Sequence, residues 1–334
     1  MRRIALSCIL FWMSLGYGFS QTPVLHILET GKATNLRGFS SQDGKSIWVS
    51  GSSGQTGLSK DSGKTWAWHI PKGYENRDFR DIAALGEDAA VTIAVDRPAV
   101  ILKTTDGGLH WRQVYKNNRP GMFLDAMDFA DHYNGVVVGD PIDGQVFLAK
   151  TTNAGDSWQT FTPDLKDSIA RGEAFFAASG SNIHLQNDGA FLLSSGGARS
   201  RLWKSHQRAT LLPFQQGNLT AGPNGMDVKG NIIAIAGGNY TQPDSGDSSY
   251  AISYDGGQHW QPYNKLPGYG SAVAIISDSV LVACGLKGVW LTKNGGKDWA
   301  TIDARPFNAL LYIPRSKKLF LAGPNGTIAL LEGL

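Results

Sequence analysis

Cysteine is nearly missing from this 334-residue chain. One of its two cysteines, Cys8, lies in an N-terminal apolar run, and the other, Cys284, in the run "SVLVACG". Once the leader is removed a single thiol remains, so no internal disulfide forms and the fold rests on its core alone. Cys284 reads as a buried, inert thiol. An excess of either charge is also missing. The segment 1–20 carries Arg2 and Arg3 out of 31 basic residues and none of the 28 acidic ones, so the mature chain is near +1. That excludes the basic footprint of a nucleic-acid binder. The one long apolar run, Ile4–Leu15, is too short for a comfortable membrane span. With Arg2-Arg3 before it and the small residues of Gly18-Phe19-Ser20 after it, residues 1–20 read as a cleaved secretory signal. The product is expected to be periplasmic or extracellular, with no membrane span after cleavage. Catalytic signatures are lacking too. The seven histidines are scattered, no HxH, HExxH or CxxC occurs, and there is no Gly-x-Ser-x-Gly elbow or phosphate loop. No metal, cofactor or catalytic set is assigned.

What the chain does have is glycine, 41 residues of it, and an eight-residue stretch that returns. "SKDSGKTW" at Ser59 recurs as "TTDGGLHW" at Thr104, "TTNAGDSW" at Thr151, "SYDGGQHW" at Ser253 and "TKNGGKDW" at Thr292. Around each lie short apolar runs separated by turn residues, as in "RDIAALGEDAAVTIAVDRPAVILKTTDGGLHWRQV". Four short strands per unit of 40–50 residues is the pattern of a β-propeller blade. The starts are 45, 47, 102 and 39 residues apart. The long gap is two periods, so one turn has decayed, near Leu202–His206. A last unit supplies only three strands. The unpartnered run Val24–Leu28 then becomes its outer strand and closes the ring, which removes exposed edges. The expectation is an all-β protein: a single seven-bladed propeller over residues 21–334, with intact boxes in blades 1, 2, 3, 5 and 6.

The box itself reads as a fold device. The hydroxyl at its first position and Asp61, Asp106, Asn153, Asp255 or Asn294 at its third close hydrogen bonds onto the turn. A glycine follows where positive φ is needed. Trp66, Trp111, Trp158, Trp260 and Trp299 then start the outgoing strand and pack onto its hairpin, burying roughly 150–250 Å² each. Two of the five boxes have Asn in place of Asp, which argues against a charge-based ligand role.

These octapeptides resemble the Asp-boxes (BNR repeats) of sialidases and related propellers. The whole unit, with "VVVGDPIDGQVFLAKTTNAGDSW" and "LVACGLKGVWLTKNGGKDW", is similar to the photosystem II stability/assembly factor family over residues 24–334. The resemblance implies an exported seven-bladed propeller that holds a partner protein outside the cytoplasm. The sialidase arginine triad is in doubt. At the point before the first box where that pattern has Arg-Ile-Pro, this chain has Asn35-Leu36-Arg37-Gly38.

Propeller topology puts every box on one face and the longer polar loops, such as Gly237–Ser249, on the other, where binding is expected. Equivalent starts of the innermost strands are read as Arg37, Asp81, Asp125, Glu173, Asp227, Ser271 and Asn308, with Arg97, Asp140, Asp143 and Arg199 on neighbouring loops. Four carboxylates would thus ring one mouth. A protein partner or a small polar ligand there is the leading expectation, with no enzymatic step. The alternative is an exo-acting glycan hydrolase using Asp81 and Asp125 as its carboxylate pair.

Overall fold

Seven antiparallel sheets succeed one another along the chain. The computed structural model describes residues 22–261, 263 and 265–334; the expected signal peptide, 1–20, lies outside them. Blade 1 runs Leu36–Ser40, Ile47–Gly51, Thr56–Ser59 and Ala67–His69, each strand pairing with the next. The first strand of each blade is innermost. In blades 2 and 3 it is Phe79–Ala84 and Leu124–Phe129, and in blades 5, 6 and 7 it is Ala221–Lys229, Ala272–Ile275 and Ala309–Ile313. Blade 5 has three strands among the described residues.

The ring closes as the unpaired N-terminal run predicted. Val24–Glu29 lies antiparallel on Ile328–Glu332, the third strand of blade 7, with Leu25 opposite Leu331. Blade 7 then abuts blade 1: the Asn308 amide donates to the Leu36 carbonyl at 2.8 Å. Apolar side chains from alanine to tryptophan fill the sheet interfaces. Cys284 is among them, free and fully buried, and burial raises its thiol pKa far above the usual range.

Each octapeptide joins the third and fourth strands of its blade. Its first hydroxyl donates to the third side chain and accepts the glycine N–H; in box 1, Ser59 Oγ to Asp61 Oδ1 is 2.9 Å and Gly63 N to Ser59 Oγ is 2.8 Å. The same bonds form in boxes 2, 3, 5 and 6. The packing differs from expectation in one respect. The box grips the preceding blade as well as its own hairpin. Trp111 of blade 2 meets Trp48 of blade 1 edge-on at 6.1 Å, and Trp299 of blade 6 meets Tyr250 of blade 5 at 5.1 Å. A Cβ on Gly296, at φ +91°, would strike the Tyr250 ring. The decayed turn of blade 4 lies between Arg201–Lys204 and Thr210–Leu211.

Candidate functional site

An innermost strand has a neighbour on one side only, so its channel-side N–H groups need other acceptors. Carboxylates supply them across blade boundaries. Asp81 Oδ2 accepts Met127 N at 2.8 Å, Asp128 Oδ2 accepts Leu185 N at 2.7 Å, and Asp227 Oδ2 accepts Ile275 N at 2.6 Å. Asp81 and Asp227 also accept from their own next residues, Ile82 and Val228. Burial raises the pKa of both. These two are therefore stitches between blades and do not stand free at the mouth.

A β-bulge near the start of the strand puts Arg80 at the position where Asp81 was expected, and Asp227 lies three residues past the corresponding bulge of blade 5. Register shifts fall between Leu36 and Gly38, Phe79 and Asp81, Leu124 and Ala126, and Pro223 and Gly225. The extra residue in each is Arg37, Arg80, Asp125 and Asn224. A bulge re-aims the side chain it inserts. Arg37, Arg80 and Asn224 accordingly line one cleft of about 380 Å³, together with Phe123, Asp140, Phe176, Tyr240, Tyr269, Ser271 and Leu286. Where four carboxylates were expected, the mouth presents two guanidinium groups, one accessible carboxyl and a set of aromatic rings.

Segment 175–182 explains the rest. The innermost strand of blade 4 is broken into Glu173–Ala174 and Ile183–Leu185, and the residues between them leave the sheet toward the channel. Arg37 donates to the Ala178 carbonyl at 2.9 Å and Arg80 to the Ala177 carbonyl at 3.1 Å, from blades 1 and 2. From blade 5, Met226 N donates to the Ser181 carbonyl at 2.7 Å. Gly180 lies against the Asp81 carboxylate, where a Cβ has no room. The segment is a plug that forms the floor of the cleft.

Electrostatics at the cleft favour an anion. Burial first, and then the neighbouring Arg80 charge, lower the Arg37 pKa. Arg37 hydrogen-bonds a carbonyl and no carboxylate, while Arg80 is held by Asp78 at 2.7 Å. Two guanidinium groups drawn together in a partly dry cleft gain from an incoming carboxylate. Asp140 is on the cleft wall, where its Oδ1 takes Phe175 N at 3.0 Å and burial raises its pKa.

The remaining expected residues go elsewhere. Asp125 is completely buried and neither carboxyl oxygen has a hydrogen-bond partner among the described residues; burial, then the Asp140 charge, push its pKa up strongly. Glu173 is also buried, and wholly committed. Its carboxylate takes Arg201 Nε at 3.0 Å, a second Arg201 nitrogen, Ser195 Oγ and Ala170 N. Arg97 and Arg199 are exposed and do not line the cleft. Asp143 is bound to Arg119 at 2.6 Å on the outer rim. Arg80, Asn224, Phe176 and Tyr269 were missed, while Tyr240 belongs to the loop Gly237–Ser249 where binding was expected. A signal for the first two was present. Leu36-Arg37-Gly38-Phe39, Phe79-Arg80-Asp81-Ile82, Leu124-Asp125-Ala126-Met127 and Pro223-Asn224-Gly225-Met226 align as tetrapeptides in which the polar second residue breaks the strand's alternation.

No family model and no curated protein matches the chain. Solved structures do. The fold is similar to that of the structure described as "YCF48 bound to D1 peptide", with a TM-score of 0.64 at 15% identity over 92% of this chain and 96% of that one. It is similar also to YCF48 from Cyanidioschyzon merolae, with a TM-score of 0.66 at 14% identity over 92% and 99%. The likeness to photosystem II assembly-factor propellers read from the repeats thus holds for the seven-bladed fold. No helix among the described residues is long and apolar enough to cross a membrane.

Proposed function

We propose that this protein is an exported, non-enzymatic binding propeller that recognises a segment of a partner protein at the channel mouth opposite the box turns. The observation that carries the reading is the cleft over the plug, where Arg37 and Arg80 lie among Phe123, Phe176, Tyr240 and Tyr269. That chemistry suits a peptide bearing a carboxylate next to an apolar or aromatic residue. The similarity to a propeller described as bound to a peptide supports it as well. The hydrolase alternative loses its footing in the burial of its proposed pair. Asp81 is 6% exposed with both oxygens occupied by N–H groups, and Asp125 is 0% exposed. A substrate sugar has no access to either.

The test is site-specific photo-crosslinking in cells of the source organism. A crosslinking residue in place of Tyr240, which is 44% exposed in the cleft, is expected to capture one defined partner. Arg37→Gln with Arg80→Gln should abolish that capture. Equal capture from position 109 on the box face, or glycan turnover by the purified protein, would reject the proposal.

A further inference from the structure

Blade 3 is built differently from its neighbour at the outer edge. In blade 2 the outer strand Arg112–Asn117 covers the third strand from Lys103 to Ala99. In blade 3 the third strand is Gln145–Thr151, and its outer partner is only Gln159–Thr160, opposite Lys150 and Ala149. One more bond follows, from Phe161 N to the Leu148 carbonyl at 3.1 Å. Leu148 therefore turns its backbone groups to the outer edge. Residues two apart along a strand address the same edge, so Val146 does too. Continuing the register places Pro163 opposite Val146. Proline has no N–H to give the Val146 carbonyl. The Pro163 carbonyl, the acceptor that the Val146 N–H would need, instead takes Leu165 N at 3.0 Å.

The chain then peels away and leaves a groove of about 640 Å³ along Gln145–Leu148. Phe161, Leu165 and Ile169 form one wall, and Asn117 and Arg119 the other. The charged residues at its rim are already matched, Arg119 to Asp143 at 2.6 Å and Asp167 to Arg208 at 2.9 Å. The floor thus offers one donor, one acceptor and apolar flanks, with no uncompensated charge to attract an ionic group. We infer that this groove accepts one extended, uncharged segment of a partner polypeptide, which adds as a strand to the Val146 edge of blade 3. Strand addition draws its affinity from main-chain hydrogen bonds and its selectivity from flanking pockets. Walls on both sides admit a single strand and exclude the sheet edge of a second folded copy. The site is on the outer rim and involves none of the residues of the mouth cleft.

The experiment is amide hydrogen exchange on the full mature chain, read at Val146 by NMR. The probe is the acetylated, amidated peptide Gln-Thr-Val-Thr-Val-Thr-Gln, which carries no charge. In the free protein the Val146 amide is expected to exchange freely, and saturating peptide to slow it by about tenfold or more. Pro163→Thr restores the missing N–H and lets the outer strand extend. In that variant the Val146 amide should be protected without peptide, and peptide should change nothing. The double variant Arg37→Gln/Arg80→Gln should respond like wild type, which separates this inference from the mouth proposal. A Val146 amide already protected in the free wild-type protein overturns the inference, whether sedimentation then shows a dimer or a monomer. So does a peptide effect confined to other amides, or none at millimolar peptide.

Discussion

Replacing Arg201 by Met would test whether Glu173 serves the fold or a ligand. The Glu173 side chain is wholly buried, and the Arg201 side chain is 8% exposed. The guanidinium makes two contacts to the carboxylate, donates to the Ser168 carbonyl at 2.9 Å and lies over the Trp203 ring at 4.1 Å. Methionine keeps part of the apolar stem and removes the charge. Glu173 would then retain only Ser195 Oγ and Ala170 N as partners. Breaking a buried pair from one side costs about 3–5 kcal/mol, because the other charge is stranded. With a urea slope of about 3 kcal/mol/M, the unfolding midpoint should fall by about 1–1.7 M. Removing both charges, in Glu173→Leu with Arg201→Met, should recover most of that loss. Urea denaturation followed by tryptophan fluorescence reads both. A midpoint for the single variant within about 0.3 M of wild type would refute the reasoning, since no stranded charge would have been created.

Other consequences are equally direct. Gly296→Ala, at positive φ and against Tyr250, should destabilise by more than about 2 kcal/mol, whereas Gly256→Ala, at φ +71° with open space around it, should cost about 1 kcal/mol; thermal melts of the pair separate packing from backbone strain. Asp125 binds its proton more tightly folded than unfolded, because burial and then Asp140 raise its pKa. Its presence therefore costs stability progressively as pH rises above the usual aspartate range. Asp125→Asn should raise the urea midpoint more at pH 8 than at pH 5, and an equal change at both would contradict this. Deleting residues 22–29 uncovers the Ile328–Leu331 edge, so light scattering should show aggregation under conditions where the full chain stays monodisperse.

The fold was legible because its signals are local and repeated. A hydroxyl, an Asx side chain and a glycine at fixed offsets specify the turn that the structure shows, and an orphan apolar run such as Val24–Leu28 has no place except the open edge of blade 7. The mouth was half legible. The equivalent strand starts gave Arg37, but the bulges insert one residue per strand, so in blade 2 Arg80 points where Asp81 was expected; in blade 5 the expected Asp227 lies three residues beyond the bulge residue Asn224, which is the one at the mouth. One residue of slip exchanges the two sides of a strand, and in blade 2 it exchanged acid for base. The plug gave no warning. "FFAASGSN" is apolar and small-residued enough to pass for strand, and it leaves the sheet because the Arg37 and Arg80 side chains claim its carbonyls from across the channel. Such long-range contacts leave no periodicity in the sequence.

The central claim is that recognition happens at the plugged mouth and away from the box turns. Hydrogen–deuterium exchange of the mature protein with its captured partner addresses it most directly. The account predicts protection concentrated at Phe123, at 174–178, at Tyr240 and at 269–271, with the five box turns unchanged. Protection of the box turns, with the mouth segments exchanging as in the free protein, would contradict it.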